Sequence, residues 1–557
     1  MSNARSKSMS SNTASRSWSS GKRSTGEARS ISAATAPRPS LPHPSRTMSA
    51  RSGTFPSPSA NPPNRIMPAT SMSVGTSLGK IAVSLGRPAQ AQYQPLHPGL
   101  MTDMYHPDSA YVAWVNRRND IVTFDLYARR APFGGAYLLF AGLETALHFV
   151  RDFRFTDEDV RFLAQIRDYD RGYLEELRNF RFSGEIIAMP EGSVAFPDEP
   201  LLRVTGPFRE ALLLESGLLN SINLATLIAT KAARIVQVAR GRRVAEFALR
   251  RAQEPFVVTR SAYIGGMSST SFVAAAFEYR LQATGTIPHA LVQLFDSERE
   301  AFAAVAASFN RYTLVLDTYD VRQAIANAID VAREYHDRLG HTLAAVRLDS
   351  GDFDCDARIV RAALDRAGLT STRIVVSGDL DEFSIHDLVT RGAPIDAFGV
   401  GTRIGVGAGS VEHGVAGGAL GGVYKLVNVE TASGDTPRIK TAGDKTTWPG
   451  KKEVYRVGAF DHDVVALEGE SRPPDSQRLL RPVVQDGALL AGSLPPLSEI
   501  WEFAQQNLRD LPEPFHALTN GARYDVRFSD GLRSLREELR SHVESNGRGA
   551  TEAIPPR

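Results

Sequence analysis

Four apolar runs, each ending in polar or glycine residues, mark the middle of the chain: 313-TLVLDTYD-320, 343-LAAVRLDSGD-352, 373-RIVVSGDLDE-382 and 396-DAFGVGT-402. Amphipathic stretches separate the first three, 321-VRQAIANAIDVAREYHDRLG-340 and 354-DCDARIVRAALDRAG-368. Both end in Gly, which supplies the left-handed residue that stops a helix. The spacing is regular: Asp317 to Arg347 is 30 residues, Arg347 to Ser377 another 30, and Ser377 to Thr402 is 25. Apolar strand, polar tip and helix at this period predict successive βα units in a parallel sheet. Polar residues then gather at the carboxyl ends of strands, where barrels and open α/β sheets hold their chemistry. The period alone fits a closed barrel and an open sheet equally.

On the amino-terminal side, 119-NDIVTFDLYARRAPFGG-135 predicts a strand ending in a Pro/Gly turn, followed by helices over 136–151 and 157–167 and a strand in 199-EPLLRVTG-206. The run 211-ALLLESGLLNSINLATLIAT-230 is interrupted by Glu215, Ser216 and two Asn, so it predicts a buried helix and not a membrane span. After residue 410 the pattern turns Gly-rich and strand-like, as in 421-GGVYKLVNV-429 and 453-EVYRV-457. The expected organisation is an extension (1–92), an amino-terminal domain (93–222), a β/α domain with the site (223–410), a flanking carboxyl-terminal segment (411–540) and a polar tail (541–557).

Composition changes this picture at one end only. The 557 residues are 42% apolar and 23% charged, ordinary for a globular protein. Residues 1–90 hold 12 Lys/Arg against one acid, Glu27, leaving 52 bases against 61 acids elsewhere. The body is therefore mildly acidic and carries no nucleic-acid footprint. The Ser-, Arg- and Pro-rich extension buries too little apolar area to offset chain entropy and is expected to be disordered. Its acid-poor composition also fits an organelle-import segment; an extended start, with Met67, Met72 or Met101 as internal alternatives, is the plainer reading. A single cysteine, Cys355, excludes an intrachain disulfide and a thiolate zinc site, and fits a reducing, cytoplasmic compartment.

The strand tips suggest a ligand. In 346-VRLDSGD-352, Arg347 suits an anionic carboxylate or phosphate and Asp349 suits sugar hydroxyls; an internal Arg–Asp salt bridge is the alternative. The next tip, 377-SGDLDE-382, offers backbone at Gly378 with Asp379 and Asp381 beside it. The loop 398-FGVGTRIGVG-407 places Gly401 and Thr402 where backbone N–H groups approach a phosphate unobstructed. Together these tips suit a sugar phosphate.

An ordered series of strings points further: 101-MTDMYHPDSAY-111, 132-PFGG-135, 228-IATKAARI-235, 247-FALRRAQ-253, 263-YIGGMSSTS-271, 285-GTIPH-289, 347-RLDSGD-352, 377-SGDLDE-382, 398-FGVGTR-403, 437-PRIK-440 and 450-GKKEVYR-456. The sequence resembles the nicotinate phosphoribosyltransferase family over nearly all of residues 97–460. The resemblance implies an α/β fold of the type II phosphoribosyltransferase kind, an irregular, TIM-like β/α barrel behind an amino-terminal α/β sandwich. It implies ATP-coupled joining of nicotinate to phosphoribosyl diphosphate, with Mg2+ on the diphosphate and a homodimer whose active sites lie at the subunit boundary. Residue by residue, it implies that His289, on a barrel strand, is phosphorylated by ATP, and that Tyr105, Thr286 and Arg347 contact nicotinate. Asp349 and Asp379 fall near the ribose, Gly378, Gly401 and Thr402 near its 5-phosphate, and Arg250 and Arg251 near the diphosphate, with Ser377 also among the substrate-binding residues. The match departs from the family's usual strings at Ala290, after the histidine, and at His106, after Tyr105. A nicotinamide or quinolinate phosphoribosyltransferase and a non-catalytic binding protein on the same fold are the alternatives. Serines at 268, 269 and 271, where the nicotinamide enzymes need an acid, favour the acid substrate.

Overall fold

The computed structural model describes residues 97–551 except 433 and 442–445, with side chains to residue 545. The 1–92 extension lies outside the described residues. Among these residues the strands form four sheets.

The largest sheet is antiparallel and seven-stranded, running Gly434–Pro437, Gly422–Thr431, Ile121–Ala128, Pro200–Pro207, Glu185–Ala188, Arg481–Gln485 and Ala488–Leu489. Val122, Phe124 and Leu126 project from Ile121–Ala128 into a core shared with the helices Leu143–Asp152 and Asp157–Ile166. The period-2 alternation of β-branched and aromatic residues there is what places one face inward. Phe124 stacks on Tyr424 at 4.5 Å between ring centres, fixing the strand Gly422–Thr431 beside it. Thus a strand expected in a flanking segment is instead the neighbour of Ile121–Ala128, about three hundred residues away in sequence.

The repeating βα units fold as expected from their spacing. Six parallel strands, β1 (Arg243–Glu246), β2 (Ser269–Thr270), β3 (Arg311–Val315), β4 (Thr342–Leu348), β5 (Arg373–Ser377) and β6 (Ala397–Val400), lie in the order β2-β1-β6-β5-β4-β3. The sheet curls as a half-barrel whose outer strands β2 and β3 do not pair with each other, so the irregular barrel is open. Helices Val321–Leu339 and Phe353–Arg366 cover it, and Gly340 (φ 70°) and Gly368 (φ 80°) take the left-handed conformation at their ends.

The helix Glu215–Val238 joins these bodies. Leu218 and Ile222 enter the core under the antiparallel sheet, while Ile228, Ala232 and Ile235 enter the core under the parallel one. Apolar on most sides and free of Pro, it is the buried helix the sequence predicts. The expected boundary at 222/223 falls inside it, and that at 540/541 falls inside the helix Asp530–Thr551. Composition changes at those points, but the hydrogen-bonded helices do not. No described helix is long and apolar enough to cross a membrane.

Candidate active site

The carboxyl ends of β1, β4, β5 and β6 surround a pocket of ≈ 330 Å³. Nine of the residues chosen from sequence line it: Arg250, Arg251, Arg347, Asp349, Ser377, Gly378, Asp379, Gly401 and Thr402. Parallel order brings these tips together, because every strand ends at the same edge.

Arg347 is the electrostatic centre. Its Nε donates to Ser377 Oγ (2.7 Å), one terminal nitrogen donates to Thr286 Oγ1 (2.9 Å), and the other lies 2.5 Å from Asp349 Oδ1. Ser377, itself buried, donates its hydroxyl to Asp349 Oδ1 at 2.6 Å. The internal Arg–Asp pair left open by the sequence is therefore present, and it engages Oδ1 of Asp349. Three of the five guanidinium N–H groups are occupied, which leaves two for a ligand. Although burial pushes the Asp349 carboxyl up, Ser377, the Arg347 charge and nearby His289 outweigh it and hold the pKa below the usual aspartate value. Asp349 is thus ionised at neutral pH, with Oδ2 turned toward His289.

At the second tip, Gly378 has φ 106°, and a Cβ there would lie 2.0 Å from the Asp349 carbonyl oxygen. No other residue fits this approach. Asp379 follows with φ 44°, uncommon for a non-glycine residue, and its Oδ2 pairs with Arg403 at 3.1 Å. Gly399 and Gly401 face Phe247, whose ring a Cβ on Gly399 would meet at 2.3 Å. Phe247, absent from the sequence-based selection though present in the FALRR string, lines the pocket.

Arg250 and Arg251 lie in a turn after β1, both exposed at the pocket rim. The fully buried Glu246 carboxylate positions that turn: it accepts from the Ala248 N–H and from the hydroxyls of Thr259 (2.9 Å) and Thr270 (2.5 Å).

His289 does not lie on a strand. It opens the short helix His289–Gln293 after Pro288, whose fixed φ suits the position before a helix, while 284–288 runs irregularly. Its Nε2 is 3.7 Å from Asp349 Oδ2 and its Nδ1 is 3.0 Å from Thr318 Oγ1. Thr286 and His289 thereby join the pocket cluster through Arg347 and Asp349. Thr318 belongs to the 313–320 tip, whose polar end was visible in sequence without a role.

Tyr105 does not join them. It starts the helix Tyr105–Val115 and is 53% exposed. Behind it His106 is fully buried, with its imidazole between Thr102 Oγ1 (2.9 Å) and Glu215 Oε2 (3.3 Å). The unusual His106 thus ties this helix to Glu215–Val238.

Comparison with known proteins agrees with this geometry. Residues 100–223 match the nicotinate phosphoribosyltransferase (NAPRTase) N-terminal domain model. The nicotinate phosphoribosyltransferase pncB2 of Mycobacterium tuberculosis is 36% identical over 469 residues, covering 82% of this chain and 98% of the relative. The Bacillus subtilis nicotinate phosphoribosyltransferase is 36% identical over 484 residues, covering 80% and 96%. The chain belongs to the nicotinate phosphoribosyltransferase family. The crystal structure of human nicotinic acid phosphoribosyltransferase superposes with a TM-score of 0.69 at 31% identity, covering 79% of this chain and 99% of that one. A nicotinate-nucleotide pyrophosphorylase from Pyrococcus furiosus, 24% identical with a TM-score of 0.61, shares the fold. The family's half-barrel and sandwich are the two sheets described above.

Proposed function

We propose that this chain joins nicotinate to phosphoribosyl diphosphate, giving nicotinate mononucleotide and diphosphate, and that ATP drives the reaction through a phosphohistidine at His289. The observation that carries the reading is the convergence of Arg347, Asp349, Gly378, Thr402 and the Arg250–Arg251 turn on one pocket. Family membership gives the reaction class; the pocket supplies its parts.

In this reading the two remaining Arg347 N–H groups, with Thr286, hold the nicotinate carboxylate. Asp349 and Asp379 face the ribose, and Gly378, Gly401 and Thr402 leave backbone room for the 5-phosphate. The pyridine nitrogen displaces diphosphate from the anomeric carbon, and the charge gathering on the departing oxygens falls beside Arg250 and Arg251. The pocket's main contribution is orientation and fixed charge. Among the described residues, no group of three or more His, Cys, Asp or Glu side chains converges on a cation site. Mg2+ is commonly held by phosphate oxygens and one or two carboxylates, and Asp349 and Asp379 would be the ones at hand. Bound there, it would supply positive charge beside the leaving diphosphate.

Purified protein is expected to form nicotinate mononucleotide faster with ATP than without, and His289→Ala to lose that stimulation. Equal stimulation in the variant refutes the phosphohistidine. Better turnover of nicotinamide or quinolinate overturns the substrate assignment, and turnover of no pyridine supports a non-catalytic protein. Ser268, where the nicotinamide enzymes need an acid, donates its hydroxyl to the Val244 carbonyl.

The chain acts as a homodimer with Tyr105 serving the partner's pocket. The exposure of Tyr105 supports this, as do exposed Val112 and Val115 on the same helix, and Val273 and Phe277, 73% and 78% exposed, on the helix Val273–Tyr279. Mixing the inactive variants Tyr105→Ala and Arg347→Ala, after dissociation and reassembly, is expected to recover part of the activity, because a mixed dimer regains one intact site. No recovery refutes shared sites. With its lone Cys355 exposed and unpaired, the enzyme fits a reducing compartment, which we take to be the cytoplasm.

A further inference from the structure

We infer that Thr318 is the positioning residue for phosphoryl transfer to His289, an inference that rests on the reading of His289 as phosphoryl acceptor. Its hydroxyl lies 3.0 Å from Nδ1, whereas Asp349 Oδ2, at 3.7 Å from Nε2, is beyond hydrogen-bond range. Among the described residues, Thr318 therefore gives the imidazole its only side-chain hydrogen bond. A histidine ring has a broad, shallow torsional preference about its second side-chain bond, so its orientation has to come from a partner. Half-exposed at the start of a five-residue helix, His289 has little packing to do this.

The Thr318 segment is itself anchored. Its neighbour Asp317 accepts from the Asp349 backbone N–H (2.9 Å) and from the Ser350 hydroxyl (2.6 Å). The hydroxyl that holds the ring is therefore tied to the strand tip that carries Arg347 and Asp349. Movement of one tip relative to the other would misplace His289 against the pocket.

The residue type also fits the chemistry. In the transfer, the lone pair of one ring nitrogen forms the N–P bond to the γ-phosphorus of ATP. The P–O bond to the β-phosphate side breaks, ADP leaves with that electron pair, and the second ring nitrogen keeps its proton. A hydroxyl donates to a bare ring nitrogen and accepts from a protonated one, so it stays bonded whichever form the ring takes. A carboxylate at the same place would only accept and would fix one tautomer.

The test compares the full-length chain with Thr318→Val, which keeps shape and loses the hydroxyl, and Thr318→Ser, which keeps the hydroxyl. Each is given γ-labelled ATP and scored for acid-labile label on the protein and for the ratio of turnover with ATP to turnover without it. Thr318→Val is expected to lower both the labelling rate and the ratio by about tenfold, the weight of one hydrogen bond, and Thr318→Ser to restore both. Wild-type labelling and ratio in Thr318→Val overturn the inference, as does a fall in both turnovers that leaves the ratio unchanged. Wild-type protein that takes no label on His289 refutes the phosphohistidine itself, a separate result.

Discussion

Arg347→Ala is expected to lower kcat/KM for nicotinate by about 10²- to 10³-fold, in line with the roughly 2–5 kcal/mol lost when one partner of a hydrogen-bonded charge pair is removed, this one being partly buried. Steady-state kinetics at saturating phosphoribosyl diphosphate measures it. The effect is large because the guanidinium does two things. It organises the pocket through Ser377, Thr286 and Asp349, and it offers its remaining two N–H groups to the substrate. Arg347→Lys is expected to recover little, since an ammonium is a point charge that cannot hold three partners in one plane. A loss confined to a few-fold would mean that the fork serves only its internal partners. Asp349→Asn is the informative companion: it removes the charge that pairs with Arg347 while keeping the side chain's shape.

The largest stability effect is expected at Glu382. Lys231 and Arg234, one helical turn apart on Glu215–Val238, both point at this carboxylate, and all three side chains are essentially excluded from water. Phe133 lies against both cations, 4.9 Å from the Lys231 ammonium and 5.7 Å from the Arg234 guanidinium, and Arg234 also donates to the Leu518 carbonyl at 2.7 Å. Glu382→Ala leaves two buried cations without their counter-charge, which costs about 3–5 kcal/mol, and is expected to lower Tm by roughly 3–5 °C for a protein of this size. Calorimetry checks it, and an unchanged Tm would show that Phe133 and backbone carbonyls suffice. Burial already lowers the Lys231 pKa despite the Glu382 charge. A lysine whose folded pKa lies below its unfolded value penalises the folded state at lower pH, and the penalty is relieved as pH rises from the folded toward the unfolded pKa. The deficit of Glu382→Ala is therefore expected to shrink in alkaline buffer.

These two sites differ in how far they could be read in advance. Arg347, Asp349, Gly378 and Thr402 were visible because each ends an apolar strand at a regular interval, and parallel strands put such ends on one edge. The Lys231–Arg234–Glu382 cluster lay hidden in strings that marked the family. Nothing in 228-IATKAARI-235 says that its cations turn inward to meet a residue 151 positions away. Thr318 was hidden in the same way, as one polar residue among several at a strand tip until the fold set it beside His289.

By itself, then, the sequence determined the βα succession, the glycine-stopped helices, the buried helical character of 211–230, which the structure divides at Leu214, and the residues at the strand tips. These follow from local rules: periodicity, turn chemistry and the steric freedom of glycine. Tertiary structure alone decided that the parallel sheet stays open and that Gly422–Thr431 joins the amino-terminal sheet. It also closed Arg347 onto Asp349, left Tyr105 facing outward and set His289 at a helix start. Each of these depends on pairing between segments far apart in the chain, where register and counter-charge are chosen by packing, and no local pattern records that choice.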